Sequence, residues 1–239
     1  MSSTILDNII WFRSCRQIAI EEMILDGVKR HIDYHLPSKH SRGKSGSFYS
    51  NKNGYEVFYE SQLEFKLFAL LESSSRVYRY QSQPLRIKYG DAKKYYPDAI
   101  FYFQDGTGVI CEVKPIKEMG LESNWKKWKA LKEFCKLEGY GLLITDGETT
   151  FSDLTNHKLN EEYVTQMLEV IEQKKHIEWS DYYDIKNTYD ANWRDLVSFI
   201  IQNKLTYTHD SRFRIVDKNR SLRIWQAAAN SVSDRENST

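Results

Sequence analysis

The sequence predicts an α/β fold, a mixed sheet flanked by helices, followed by a smaller helical module. Three observations predict it. Residues 96–103 and 109–115 are two β-prone runs around Gln104-Asp105-Gly106-Thr107-Gly108, which reads as a hairpin. A strongly apolar helical stretch precedes that hairpin, and an amphipathic helix with a fully apolar strand follows it. Beyond about residue 150 the pattern changes to three helical segments and a second hairpin.

The whole-chain properties exclude several classes. With 239 residues there is ample material for a core, and 41% hydrophobic against 28% charged residues is a globular balance. A formal net charge of +1 gives no bulk attraction to nucleic acid, so any such contact must come from local clustering. Cys15, Cys111 and Cys135 are widely spaced and odd in number, which argues against a structural zinc site or a disulfide framework. A reducing cytoplasm is the expected compartment. There is no apolar run of the roughly 18–20 residues a membrane span needs, and no signal-peptide layout.

In chain order, residues 1–36 are expected to be helical in part, with Ile18, Ile20, Met23, Ile24 and Val28 at helical spacing. Residues 37–47 are rich in Gly and Ser and exclude a stable helix. No acid lies between Asp33 and Glu56 to oppose Lys39, Arg42, Lys44 and Lys52. That stretch is either a solvated loop or an arm that neutralises DNA phosphates. The set Leu63, Phe65, Leu67, Phe68, Leu70 and Leu71 predicts a largely buried helix over 58–72, with Glu64 among its core positions. Strands are expected at 77–80 and 85–89, ahead of the hairpin. Residues 122–138 form an amphipathic helix with Trp125, Trp128, Leu131 and Cys135 as its stripe. Its lysines, Lys126, Lys127, Lys129, Lys132 and Lys136, are a solvated face or a phosphate contact in equal measure. Residues 141–146 then read as a buried strand.

A boundary is expected in the polar stretch 147–156, giving domains 1–150 and 151–230 with a disordered tail at 231–239. Helices are expected over 160–177, 180–187 and 192–204. Strands at 205–208 and 212–216 bracket His209-Asp210-Ser211. Three helices and a hairpin in so short a stretch describe a winged-helix module. From residue 151 onward there are 12 Lys/Arg against 14 Asp/Glu, so docking to protein is favoured over reading DNA. The exception is Arg212, Arg214, Lys218, Arg220 and Arg223, which could meet DNA or an acidic partner.

The chemistry lies at the first hairpin. Side chains alternate along a strand, so Glu112 and Lys114 share a face and Val113 takes the other. If pairing brings Asp98 to that face, two carboxylates and an ammonium converge at one end of the hairpin. Asp98, Glu112 and the Val113 carbonyl are hard oxygen donors of the kind Mg²⁺ takes, and Lys114 could orient or help deprotonate water or steady transition-state charge. Glu64 could complete the set from its helix, with Glu60 and Glu72 as competing carboxylates on the same element. This constellation points to metal-assisted phosphodiester hydrolysis.

Glu64, Pro97-Asp98 and Glu112-Val113-Lys114 resemble the motifs of the PD-(D/E)XK nuclease superfamily. More narrowly, residues 59–64 (Tyr-Glu-Ser-Gln-Leu-Glu), Gln83-Pro84-Leu85, Tyr96-Pro97-Asp98 and Glu112-Val113-Lys114-Pro115 resemble TnsA, the endonuclease subunit of heteromeric cut-and-paste transposases. The resemblance implies a restriction-endonuclease-like sheet followed by a C-terminal winged-helix domain. It implies cleavage of the 5′ strands at transposon ends, with one or two Mg²⁺ ions that Mn²⁺ can replace. A DDE transposase (TnsB-like) and an AAA+ regulator (TnsC-like) are the implied partners, in a bacterial cytoplasm at the nucleoid. Glu64, Asp98, Glu112 and Lys114 would be catalytic, with Glu64, Asp98, Glu112 and Val113 holding metal. Lys39, Arg42, Lys44 and Lys52 would contact DNA. A stand-alone restriction or repair nuclease, and a non-catalytic DNA-binding adaptor, are the alternative expectations.

Overall fold

The computed structural model describes residues 3–17, 45–90, 93–209 and 213–217. The helix expected around Ile18–Val28, the cations Lys39, Arg42, Lys44, Arg212, Lys218, Arg220 and Arg223, and the tail 231–239 lie outside the described residues. The chain divides into two compact units. One is built from the residues up to Met119 with Ser123–Leu154, the other from Gly120–Glu122 with the residues from Thr155 onward.

The first unit begins with an antiparallel hairpin, β1 (Gly46–Ser50) and β2 (Tyr55–Tyr59), closed by a turn in which Gly54 takes φ +78°. The alternation of Tyr55, Val57 and Tyr59 with Glu56 and Phe58 suits this pairing and buries Val57. The helix expected from residue 58 therefore starts later, as α1 (Gln62–Ser73), because Phe58 and Tyr59 are spent on β2. Ser61 is its N-cap, in extended conformation, and its Oγ accepts the Glu64 N–H at 3.1 Å. Leu67, Phe68 and Leu71 are fully buried along one stripe, and Glu64 sits on that stripe one turn earlier.

The central sheet contains β3 (Val77–Ser82), β6 (Ala99–Phe103), β7 (Gly108–Val113) and β8 (Gly141–Thr145), in that order. The first two pairings are antiparallel and the last is parallel. A parallel neighbour requires a crossover. Here that crossover is α2 (Ile116–Met119) and α3 (Glu122–Glu138), ending where Gly139 adopts φ +81° and donates to Cys135 O. Trp128, Leu131 and Cys135 are buried on α3 as its period predicts, while Trp125 is half-buried and donates to Met119 O at 2.6 Å. One core joins Leu67, Phe68 and Leu71 to Tyr80, Phe101, Val109, Cys111, Val113 and Leu143, with the Phe68 and Tyr80 rings stacked at 5.7 Å.

Between β3 and β6 the chain makes a separate ribbon, β4 (Ile87–Tyr89) and β5 (Lys93–Tyr95). The single strand expected at 85–89 is thus shorter and has a partner that sequence did not reveal. Lys93-Lys94-Tyr95 is too short and too charged to read as a strand alone.

The second unit contains, among the described residues, α5 (Glu161–Lys174), β9 (His176–Ile177), α6 (Trp179–Tyr189), α7 (Trp193–Gln202), β10 (Thr206–His209) and β11 (Phe213–Val216). A short helix, α4 (Phe151–Asn156), precedes them. The strands form one antiparallel sheet in the order β10-β11-β9. The helix expected to run to residue 177 stops at Lys174. Lys175 turns into the left-handed region at φ 67°, and His176 and Ile177 pair with Val216 and Ile215 instead. Asn160 and Asn192 cap α5 and α7 with their side-chain oxygens. Met167, Ile171, Tyr182, Leu196, Phe199, Tyr207 and Ile215 are buried. Among the described residues no helix is long and apolar enough to cross a membrane.

Candidate active site

Register decides the site. Ala99 pairs with Cys111 and Ile100 with Ile110, so the residue before Ala99 stands across from the residue after Cys111. Asp98 therefore faces Glu112 at the mouth of the hairpin, and alternation brings Lys114 to the same side. The Lys114 ammonium lies 3.0 Å from Glu112 Oε1 and 3.6 Å from Asp98 Oδ2, and donates to Val113 O at 3.1 Å. Asp98 Oδ2 also accepts the Val113 N–H at 2.8 Å, which fixes the carboxylate against the strand.

Burial makes this arrangement electrostatically tense. Glu112 is 1% exposed and Asp98 9%. Desolvation, then the Asp98 charge, pushes the Glu112 carboxyl up to about 8, against the opposing pull of Lys114. Burial alone would lower the Lys114 pKa, but Asp98 and Glu112 outweigh it and hold the ammonium well above its ordinary value. Lys114 is thus a fixed positive charge in the metal-free protein. Glu112 Oε2 is buried and makes no hydrogen bond of good geometry, although the Tyr95 hydroxyl lies close enough to Glu112 to favour its charged form. Tyr95 is packed beside it, buried, and its hydroxyl likewise has no well-formed hydrogen bond. Desolvation and then the Glu112 and Asp98 charges push that hydroxyl far above its usual range.

Glu64 reaches the neighbourhood from α1. Burial first and Asp98 second raise its carboxyl to about 7. Its oxygens are nonetheless committed to the start of the helix. Oε2 accepts the Glu60 N–H at 2.8 Å, and Oε1 accepts the Ser61 hydroxyl at 3.0 Å. With Ser61 accepting the Glu64 N–H, the Ser61 and Glu64 side chains together tie down the first turn of α1. The expected meeting of three carboxylates is therefore a close pair with a third acid alongside. Among the described residues no three acidic, imidazole or thiol side chains make a ready metal cluster.

The donors still suit a hard cation. Asp98, Glu112 and the Val113 carbonyl direct three oxygens at one positive group, the Lys114 ammonium, and Glu112 Oε2 has an unused lone pair. Mg²⁺ typically binds through one or two carboxylates and keeps several waters, so two carboxylates and a carbonyl are sufficient.

The other expected residues go elsewhere. Glu72 accepts from Ser50 Oγ at 2.6 Å, Tyr80 Oη at 2.7 Å and the N–H groups of Asn51 and Lys52. It ties the β1–β2 turn to α1 and β3. The Lys52 ammonium donates to Ser74 O at 2.6 Å and to Val77 O, so it is turned onto backbone and not offered to a phosphate. Sequence reasoning missed Tyr95. Its signal was position, directly ahead of Tyr96-Pro97-Asp98 and one residue past two lysines.

Residues 74–146 match the family model described as TnsA-like endonuclease N terminal. No curated protein matches the chain. The matched segment runs from the C-cap of α1 to the residue after β8 and contains Asp98, Glu112, Val113 and Lys114, while Glu64 lies ahead of it. Over residues 74–146 the chain is similar to the TnsA-like endonuclease N-terminal domain.

Proposed function

We propose that the chain is the metal-dependent DNA endonuclease subunit of a Tn7-like cut-and-paste transposase, cutting the 5′ strands at transposon ends. The observation that supports it most is the convergence of Asp98, Glu112 and Lys114 inside the TnsA-like segment. Asp98, Glu112 and the Val113 carbonyl would hold one or two Mg²⁺ ions, with Mn²⁺ as a substitute. Bound there, the metal would neutralise charge on the phosphate and lower the pKa of a coordinated water. Lys114, held as an ammonium, would oppose the negative charge that builds on the phosphate oxygens and orient the attacking water. Glu64, with a carboxyl poised near neutrality, would take up or release a proton beside Asp98.

In the same reading, residues 1–150 are the endonuclease domain with Lys39, Arg42 and Lys44 on a DNA-binding arm, 151–230 are a winged-helix module, and 231–239 are a tail. The module would dock an AAA+ regulator (TnsC-like), while a DDE transposase (TnsB-like) cuts and joins the 3′ strands. The test is a reconstituted mixture of the three proteins acting on a duplex with transposon ends. Asp98→Asn and Lys114→Ala should each lower 5′-strand cleavage by at least about 10²-fold while the protein stays folded and the complex still assembles. Wild-type cleavage by the double variant would overturn the proposal.

A further inference from the structure

Residues 86–94 hold four cations, Arg86, Lys88, Lys93 and Lys94, and one acid, Asp91. The β4–β5 register sets Lys88 directly opposite Lys94 and Ile87 opposite Tyr95. With a period of two, Ile87 and Tyr95 turn inward and are buried, while Arg86, Lys88 and Lys94 turn outward and are exposed. Like charges facing each other across a ladder repel. Among the described residues, none of these four cations has a carboxylate partner to relieve that repulsion. The ribbon thus gathers Arg86, Lys88 and Lys94 on one outward face.

Its other face is anchored at the candidate active site. The Tyr95 hydroxyl lies beside Glu112, and the Lys127 ammonium of α3 stands 5.9 Å from the centroid of the Tyr95 ring, adding a fifth cation. Lys94 is four residues ahead of Asp98, so an extended chain places their Cα atoms within about 14 Å. At about 3.4 Å of rise per base pair, that is a span of about four base pairs.

We propose that the β4–β5 ribbon is a backbone contact for duplex DNA beside the site of cleavage, with Lys88 and Lys94 neutralising phosphates. The inference rests on the endonuclease reading for its choice of ligand. Lysines act here as point charges, so the contact positions the duplex and carries no base sequence.

The test is fluorescence anisotropy of full-length protein on a labelled duplex in EDTA, from 50 to 200 mM salt. Each phosphate contact contributes about 0.9 to the slope of log affinity against log salt, so Lys88→Ala/Lys94→Ala should lower it by about 1.8. Over that fourfold salt range the wild type should lose roughly 12-fold more affinity than the variant. Lys88→Arg/Lys94→Arg should keep the wild-type slope. Lys66→Ala/Lys158→Ala, which removes two exposed lysines elsewhere, should keep it too. An unchanged slope in the first variant, an equal fall in the last, or no duplex binding by the wild type overturns the proposal. Because no metal is present, loss of cleavage in the reconstituted assay bears on the endonuclease reading and leaves this measurement intact.

Discussion

Replacing Lys52 by Met separates two roles for a cation that the sequence placed among the phosphate contacts. In the fold its ammonium donates to Ser74 O, at the C-terminal end of α1, and to Val77 O, at the start of β3. Met keeps the aliphatic stem, so the change removes charge-assisted hydrogen bonds and little packing. Hydrogen bonds to charged groups contribute about 1.5–3 kcal/mol each. Lys52 is only part-buried and water screens its charge, so the expected loss for the pair is about 2 kcal/mol. For a unit of this size each kcal/mol moves the melting temperature by about 2–4 °C, so a drop of about 4–8 °C is expected. The salt slope of duplex binding should not change. Thermal unfolding followed by near-ultraviolet circular dichroism, with anisotropy on the same preparations, checks both quantities. An unchanged melting temperature together with a slope lowered by about 1 would refute the reasoning and return Lys52 to the DNA surface.

Ser61→Ala removes the N-cap of α1 and should cost about 1 kcal/mol in urea unfolding. An unaltered midpoint would show that the Ser61 cap contributes nothing. Lys114→Met should lower single-turnover cleavage by about 10²–10³-fold, the loss expected when a preorganised charge at the reacting phosphate is removed. The raised carboxyls of Glu64 and Glu112 also set a pH dependence. Their folded-state values, about 7 and about 8, lie above the unfolded range, so metal-free stability is fully present near pH 4 and is lost as pH rises through 7 and 8. Divalent metal competes with those protons, so Mg²⁺ affinity should climb between about pH 6 and 9 with proton release. Calorimetry in two buffers of different ionisation enthalpy reads that release, and Glu112→Gln should remove most of it. A pH-independent affinity would contradict the assignment.

The hairpin carrying Asp98, Glu112 and Lys114 was legible because its information is local. Alternation and a Gly-containing turn fix which residues share a face, and a two-residue motif spacing survives small errors in strand length. Helix α3 was legible for the same reason, since its 3.6-residue period runs unbroken from Glu122 to Glu138. What failed was non-local. Phe58 and Tyr59 joined a strand because residues 46–50 lay ready to pair with them, which no window around the helix could reveal. Lys93 and Lys94 became β5 only through register with β4, and His176 and Ile177 became β9 only through β11. At the site, helical spacing placed Glu64 on the buried stripe of α1, but the commitment of its oxygens to Glu60 and Ser61 is a matter of side-chain conformation. Lys52 is the same lesson reversed, a cation in a basic stretch whose charge is used by backbone carbonyls.

The central claim is that Asp98, Glu112 and the Val113 carbonyl form one divalent-cation site beside Lys114. The most direct measurement is anomalous diffraction from crystals of the full chain soaked in Mn²⁺. A peak about 2.1 Å from oxygens of Asp98, Glu112 and Val113, absent from Glu112→Gln crystals, is the predicted result. Saturating Mn²⁺ with no peak at those oxygens, or a peak that persists unchanged in Glu112→Gln, would contradict it.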